Sequence, residues 1–155
     1  MEKVNNKEKI CMFFASDYHF EMISVPYINK NLKNNKNVIV ITENDLNQTI
    51  EEFLSKVNIK EEEKNSIRKL DWKNDDENKL KELKNLANEK KDTVVFIKGE
   101  ENFISNINNK IKDIDSDKNL KIVDCYDISE VQDSVRKIVN GYSEILSTSG
   151  IEKLL

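Results

Sequence analysis

The stretch ICMFFA, residues 10–15, is the first of several short apolar runs that decide the fold of this chain. Its length and its large side chains are typical of a β-strand that is buried on both faces. Three further runs show the same pattern, at Val38–Thr42, Val94–Ile97 and Leu120–Cys125. Ile67–Trp72 is a weaker candidate between the second and third strong runs. The sequence therefore predicts five strands.

Amphipathic helices separate the predicted strands. Apolar side chains recur there at intervals of three and four residues, which places them on one face of a helix. They are Ile50, Phe53, Leu54 and Val57, then Leu80, Leu83 and Leu86, then Phe103, Ile107, Ile111 and Ile114, and finally Val131, Val135, Ile138 and Val139. Strands that alternate with helices of this length imply right-handed crossovers. We therefore predict one α/β domain over residues 1–155, three-layered and doubly wound, with a mostly parallel, five-stranded sheet of Rossmann-like layout.

Capping residues and a proline predict two helix boundaries. Ser129, with Gln132 three residues later, matches a capping box at the start of the last helix. Pro26 lies inside the first helical segment, where proline removes a helical hydrogen bond. The first helix therefore either kinks at Pro26 or begins near Val25 with Ser24 as its N-cap.

Composition and charge limit the classes of function. The formal net charge of −4 argues against general nucleic-acid binding, because such binding needs a basic face. No apolar run approaches the roughly 20 residues of a membrane-spanning helix. The polar N-terminus is unlike a signal peptide, so we expect a cytoplasmic protein without membrane contact. Cys11 and Cys125 lie in strand-like runs, and we expect buried thiols rather than a disulfide or a metal pair.

Polar side chains follow each predicted strand. In a parallel sheet these positions meet at the carboxyl edge, where open α/β sheets bind their ligands. This edge is mostly acidic and carries the only histidine and the only tryptophan of the chain, His19 and Trp72. The residues that we expect to bind a ligand there are Asp17, His19, Glu43, Lys98, Glu100, Tyr126 and Asp127.

Several edge residues also have a structural interpretation. His19 is either a general base or metal ligand, or a polar surface or capping residue. Glu43, Asp71 and Asp124 would hold a divalent cation if their side chains converge, but such acids more often cap the helices that follow. The Lys98–Glu100 turn either contacts an anion or contains its glycine because the turn needs a positive φ.

The loop after the first strand lacks the features of a phosphate-binding loop. Such a loop needs glycines whose N–H groups surround the phosphate, together with a lysine and a serine or threonine. Residues Ala15–Met22 contain no glycine and no lysine, and two acids would face the phosphates, which disfavours Walker-type ATP binding. GxGxxG, HExxH, CxxC and GxSxG motifs are also absent. Ser147–Gly150 is small and polar, but no strong strand precedes it, so it does not predict a phosphate loop. With none of these motifs present, we predict no catalytic residue, no metal and no cofactor.

Four segments follow one another in an order found in a known family: Ile10–Phe14, Val38–Glu43, Phe96–Glu100 and Cys125–Asp127. They resemble the opening strand, the second strand with its terminal acid, the strand that leads into a Gly-Glu turn, and the end of the last core strand of the MEDS domains. These sensory domains are named after methanogens, methylotrophs and the DcmR regulator. The family is regarded as a RecA/KaiC-like fold without a working phosphate loop.

The resemblance spans Lys9–Gly150 and implies a RecA-like fold with a non-catalytic sensory or regulatory role in signalling or transcriptional control. Such a domain would bind a small molecule or a regulatory protein partner, and it could form a homo-oligomer. One departure is Lys9, which stands where the family usually has a histidine. RecA-like and flavodoxin-like strand orders both fit the sequence. Two alternative functions also remain, a metal- or nucleotide-dependent hydrolase with an unconventional site and a purely structural interaction domain.

Overall fold

The computed structural model describes residues 8–114 and 119–154. Its elements, in chain order, are β1 (Glu8–Phe14), α1 (Asp17–Lys33), β2 (Asn37–Thr42), α2 (Asn47–Lys56), α3 (Glu61–Arg68), α4 (Asp76–Asn88), β3 (Thr93–Lys98), α5 (Glu101–Ile111), β4 (Leu120–Asp127), α6 (Ile128–Val131), α7 (Val135–Val139), β5 (Glu144–Ser147) and β6 (Gly150–Lys153). A short 3₁₀ turn joins α6 to α7. Within these two ranges, no helix has the length and apolar character needed to cross a membrane.

The described strands form a six-stranded sheet in the order β2-β3-β4-β1-β5-β6. All neighbouring pairs are parallel except β5 and β6, which form an antiparallel hairpin. The predicted α/β class with a mostly parallel sheet is confirmed, whereas the predicted number of five strands is wrong. The first strand of the chain lies near the middle of the sheet, between β4 and β5.

Helices cover both faces of the sheet, because successive side chains of a strand point to opposite sides. Ile10, Met12 and Phe14 of β1 share a core with α1, α2 and the end of α3, on what we call the first face. Phe13 lies on the other side of β1, the second face, with α4, α5 and α6. The molecule therefore has a helical layer, the sheet and a second helical layer.

Both cysteines are free and fully buried, as the sequence predicts. Cys125 of β4 belongs to the core of the first face, whereas Cys11 alternates with Ile10 and Met12 and so points to the second face. The two thiols thus lie on opposite sides of neighbouring strands, an arrangement that no disulfide can bridge. Burial raises the pKa of the Cys11 thiol to about 11, and it raises the pKa of Cys125 well above its ordinary value.

The predicted strand at Ile67–Trp72 is wrong. Ile67 lies in α3 and Trp72 lies in the irregular segment that follows, and both side chains are almost completely buried on the first face. The Trp72 indole N–H donates to the Ile67 carbonyl at 2.9 Å, and the Trp72 carbonyl accepts from the Leu46 N–H at 2.9 Å. The apolar side chains that suggested a strand therefore pack α3 and the segment after it against the first face of the sheet.

Two strands that the sequence analysis did not predict, β5 and β6, follow α7. β5 extends the parallel sheet beside β1, and β6 returns along β5 through a turn at Thr148 and Ser149. Gly150 has a φ of 97°, a conformation that glycine adopts without a steric penalty. The small polar motif at Ser147–Gly150 is therefore the turn of a β-hairpin.

Helix α1 continues through its proline, so the predicted start near Val25 with Ser24 as cap is wrong. Ser16 is the N-cap, and its hydroxyl accepts from the backbone N–H at the third helical position at 3.1 Å. Pro26 and Met22 are both exposed. Pro26 has no N–H, so the Met22 carbonyl lacks its helical hydrogen-bond donor. Because this part of α1 is exposed, water can donate to that carbonyl instead, and the helix continues.

Replacing Trp72 by alanine should lower the free energy of unfolding by about 4 kcal/mol, because it empties a large buried site and removes the bond to the Ile67 carbonyl. Urea unfolding followed by circular dichroism measures this loss without relying on tryptophan fluorescence. Lys69→Ala, at an exposed position nearby, should stay within about 0.5 kcal/mol of the wild type. Equal stability of the two variants would contradict the burial of Trp72.

Candidate functional site

An ion pair between β3 and α1 lies at the carboxyl edge of the sheet. Lys98 ends β3 with 7% of its surface exposed. Its Nζ lies 3.0 Å from Oδ1 of Asp17, in the first turn of α1. The same Nζ lies 4.9 Å from the centroid of the Phe14 ring and 5.3 Å from that of Phe20. A carboxylate and two aromatic faces therefore stabilise the only lysine among the predicted binding residues.

This ion pair lies at the switch point of the sheet. The chain leaves β1 toward the first face through α1, and it leaves the neighbouring β4 toward the second face through α6. Open α/β sheets bind their ligands at such a point. Here Asp17 already places a negative charge at the N-terminus of α1, where it interacts favourably with the helix dipole. An incoming phosphate would have to displace that carboxylate from Lys98.

His19 supports the start of α1. Its Nδ1 accepts from the Ala15 N–H at 2.8 Å, while its own N–H donates to the Ser16 hydroxyl at 3.1 Å. The arrangement resembles a capping box in which histidine replaces the usual glutamate or glutamine. Because Nδ1 accepts a hydrogen bond, the neutral ring carries its proton on Nε2. This geometry agrees with the capping interpretation of His19.

Glu43 holds the turn between β3 and α5. Its Oε1 accepts from the N–H of Glu100, the N-cap of α5, at 2.9 Å. A Cβ at Gly99 would lie 2.6 Å from the Phe103 ring and 2.9 Å from that same oxygen of Glu43. Close packing therefore requires the glycine. The positive φ that one interpretation predicted for Gly99 is not present.

Asp127 and Tyr126 end β4, but their side chains serve different parts of the molecule. Oδ1 of Asp127 accepts from the Ser129 N–H at 2.9 Å and caps α6. The predicted capping box with Ser129 as N-cap is therefore wrong, since Ser129 lies inside the helix. Tyr126 is 8% exposed, and its hydroxyl lies 2.6 Å from the Tyr142 hydroxyl in the core of the second face.

An acidic rim, formed by Glu100, Glu101 and Glu130, remains exposed beside these capped helices. The three residues line a shallow depression of about 590 Å³. The pKa of Glu130 is raised by desolvation and by the negative charges of Asp127, Glu100 and Glu43. The open part of the carboxyl edge is therefore a surface of mutually repelling carboxylates.

The three acids that the metal hypothesis requires do not converge. Glu43 binds the α5 N-terminus, Asp71 accepts from the Lys73 N–H at 2.9 Å, and Asp124 is buried in the core. In residues 8–114 and 119–154, no three side chains of His, Cys, Asp or Glu are grouped so as to hold a metal ion.

Sequence analysis missed a buried carboxyl group below the Asp17–Lys98 pair. Glu21 of α1 is 3% exposed, and its Oε2 has no hydrogen-bond partner among the described residues. Burial raises its pKa to about 7, against a lowering by the hydroxyl of Thr49. The available signal was helical spacing, since Glu21 precedes the buried Val25 by four residues and so lies on the buried side of α1.

A second buried carboxylate, Asp124, lies at the centre of the second face with no exposed surface. Its Oδ2 accepts from the Tyr142 hydroxyl at 2.5 Å and lies 3.1 Å from Nζ of Lys9. Its Oδ1 accepts from the Asn108 amide at 3.0 Å. Asp124 thus connects β4 to β1, to α5 and to the segment before β5, and every partner donates to it.

Comparison with protein-family models, with curated proteins and with solved structures finds no match to this chain. The resemblance to MEDS domains therefore stays a prediction based on four sequence segments.

Glu21→Gln should stabilise the protein increasingly as the pH rises. The native pKa of about 7 lies above the ordinary value of 4.5, so wild-type stability falls as pH rises through this interval. Glutamine cannot ionise, and the variant should exceed the wild type by about 2–3 kcal/mol at pH 8 but by little at pH 4. Urea unfolding across this pH range, with exposed Glu77→Gln as control, measures the difference. A difference that is independent of pH would contradict a buried, protonated Glu21.

Asp124→Asn should lower the free energy of unfolding by about 3 kcal/mol, because Lys9 and Tyr142 lose an anionic acceptor. Adding Lys9→Met should restore part of the loss, since it removes the cation that the first change leaves unpaired. A double-mutant cycle on these two residues should give a coupling energy above about 1 kcal/mol. The exposed Arg68–Glu51 pair, at 3.0 Å, is a matched control expected to give less than about 0.5 kcal/mol. Equal couplings would show that the buried pair has no special role.

Proposed function

We propose that this chain is a non-catalytic sensory or regulatory domain in signalling or transcriptional control, and that its acidic rim contacts a basic partner protein. The observation that carries the proposal is that polar side chains of the carboxyl edge already form contacts within the fold. Lys98 is paired with Asp17, while His19, Glu43 and Asp127 hold helix starts. An enzyme would need such groups to reach a substrate, whereas here each of them already forms a contact within the protein.

The strand order supports the RecA-like part of the proposal. In a flavodoxin-like sheet the first strand lies between the second and the third. Here β1 lies between β4 and β5, so the flavodoxin-like order does not apply. We therefore propose the other of the two orders, the RecA-like one that the MEDS resemblance implies. A fold of that class with an acid at the N-terminus of α1 fits a domain that has no phosphate-binding function.

Electrostatics favours a basic partner at the edge. The acidic rim concentrates carboxylates on a protein whose formal net charge is already −4. A positively charged partner would relieve the repulsion among these carboxylates, which adds to desolvation in raising the pKa of Glu130. Complementary charge of this kind speeds association and selects partners, which suits a reversible regulatory contact.

The double charge reversal Glu100→Lys with Glu130→Lys tests the proposed contact. A partner that co-purifies with the tagged wild-type protein from its native cells, once identified, should bind this variant at least about tenfold more weakly in a binding titration at low salt. Glu82→Lys with Glu89→Lys changes the net charge equally on exposed positions of and beside α4, and it should bind like the wild type. Equal loss in both variants would show a nonspecific charge effect and contradict the assignment of the rim.

A thermal-shift titration with Mg²⁺ and ATP tests the non-catalytic part. A ligand at 100 times its Kd stabilises a protein by about 2.7 kcal/mol, so binding would raise the melting temperature visibly. We expect no shift, because Asp17 holds Lys98 and the loop offers no further cation. A clear shift, together with phosphate release, would favour the hydrolase hypothesis and overturn the proposal.

A further inference from the structure

A groove of about 530 Å³ lies between α1 and the β5–β6 hairpin, on the first face and away from the acidic rim. One wall is the second half of α1, and the other is formed by β5, the hairpin turn and the start of β6. The hairpin extends the sheet beyond β1, and the wall of the groove opposite α1 comes from β5, β6 and the turn that joins them. The groove is thus a product of the two strands that the sequence analysis did not predict.

The groove has an apolar floor. Ile23 and Tyr27 of α1 face Leu146 of β5 and Ile151 of β6 across it, and these four residues belong to the core of the first face or pack against it. Pro26 borders the groove from the exposed side of α1. Ile23 and Leu146 are almost completely buried, so the apolar surface from which a ligand could displace water belongs to Pro26, Tyr27 and Ile151.

Lysines surround one end of the groove. Lys30, Lys36 and Lys121 line it together with one acid, Glu144, so the local balance is three positive charges against one negative. Lys36 and Lys121 also border a depression at the amino edge of the sheet, which places them close together. This is a local positive field on a chain with a net charge of −4.

Further polar groups line the groove. The Asn31 amide donates to the Tyr27 backbone carbonyl at 2.8 Å. Burial raises the pKa of the Tyr27 phenol, and the positive charge of Lys121 opposes this shift. Ser147 and Thr148 add hydroxyls at the opposite end, where the hairpin turns. The groove thus offers a ligand many polar groups beside a smaller apolar surface.

We propose that this groove binds a small organic anion, a carboxylate with an apolar body. The carboxylate would lie beside Lys30 and Lys36, and the body would lie along Pro26, Tyr27 and Ile151. This assignment rests on the proposed sensory function, and it deepens that function by naming the chemical class of the sensed ligand and a site separate from the partner surface.

Size and charge favour this occupant over the alternatives. The volume lies within the roughly 300–1,000 Å³ typical of small-molecule sites. The acidic rim repels anions, whereas the groove offers an anion both positive charge and apolar contact. A neutral apolar ligand would make no use of the charges of Lys30 and Lys36, and a bare inorganic anion would leave the apolar surface of the groove in contact with water.

Octanoate is the probe that tests the proposal, with octan-1-ol and acetate as matched controls that lack the charge or the apolar body. Each is titrated into the ¹⁵N-labelled protein while backbone amide shifts are followed by NMR. Octanoate should move the amides of Ile23 and of Ser147–Ile151 in a saturable way. Octan-1-ol should bind about tenfold more weakly, and acetate should leave these signals unchanged.

Charge reversal on the rim of the groove identifies the carboxylate site. Lys30→Glu with Lys36→Glu should weaken octanoate binding at least about tenfold, because both positions then repel the anion. Lys84→Glu with Lys110→Glu makes the same change of net charge at exposed positions on α4 and α5, and it should bind like the wild type.

Three outcomes would overturn the proposal. They are saturable shifts at residues outside the groove, octan-1-ol binding as tight as that of octanoate, and concentration-dependent dimerisation through the groove that Lys30→Glu with Lys36→Glu abolishes. The last outcome would assign the groove to a second copy of the chain. None of them touches the partner test with Glu100 and Glu130 at the carboxyl edge, so failure of the ligand site and failure of the regulatory function remain distinguishable.

Discussion

The fully buried carboxylate of Asp124 constrains the packing of the second face. A charge without solvent must be met by donors, or the folded state carries a large desolvation penalty. Lys9, Asn108 and Tyr142 supply those donors from β1, from α5 and from the segment before β5. These elements can therefore pack in few other ways around β4. Lys9, the position that departs from the MEDS pattern, thus has a definite structural task.

The central strands could be predicted because burial on both faces imposes continuous apolar runs on them. The hairpin could not, since β5 and β6 have four residues each and lie largely half-exposed or exposed, which dilutes the apolar pattern. The segment at Ile67–Trp72 misled for the opposite reason. Its apolar side chains are indeed buried, but they belong to a helix end and a loop that cover the first face. Sequence periodicity does not distinguish such a covering segment from a buried strand.

The rule that ligands bind beyond strand ends located Asp17, Lys98, Glu43 and Asp127 correctly at the carboxyl edge. It could not tell which side chains would be used by the fold, because hydrogen-bond partners such as Glu43 and the Glu100 N–H are 57 residues apart in sequence. The sequence analysis named Asp124 and counted Glu21 among the acids of the first loop, but the burial of both escaped prediction for a related reason. Whether a carboxyl group is desolvated depends on which helices pack over it. The sequence predicts the helices but not where they lie on the sheet.

The two cysteines give the chain a practical property. Both thiols are enclosed within the sheet on opposite faces, and burial disfavours the thiolate that attacks alkylating reagents. The native molecule therefore behaves chemically as if it were cysteine-free. A cysteine introduced on the surface would be the sole reactive position, so a spin label or fluorophore could be attached to the folded domain without first removing its own sulfur atoms.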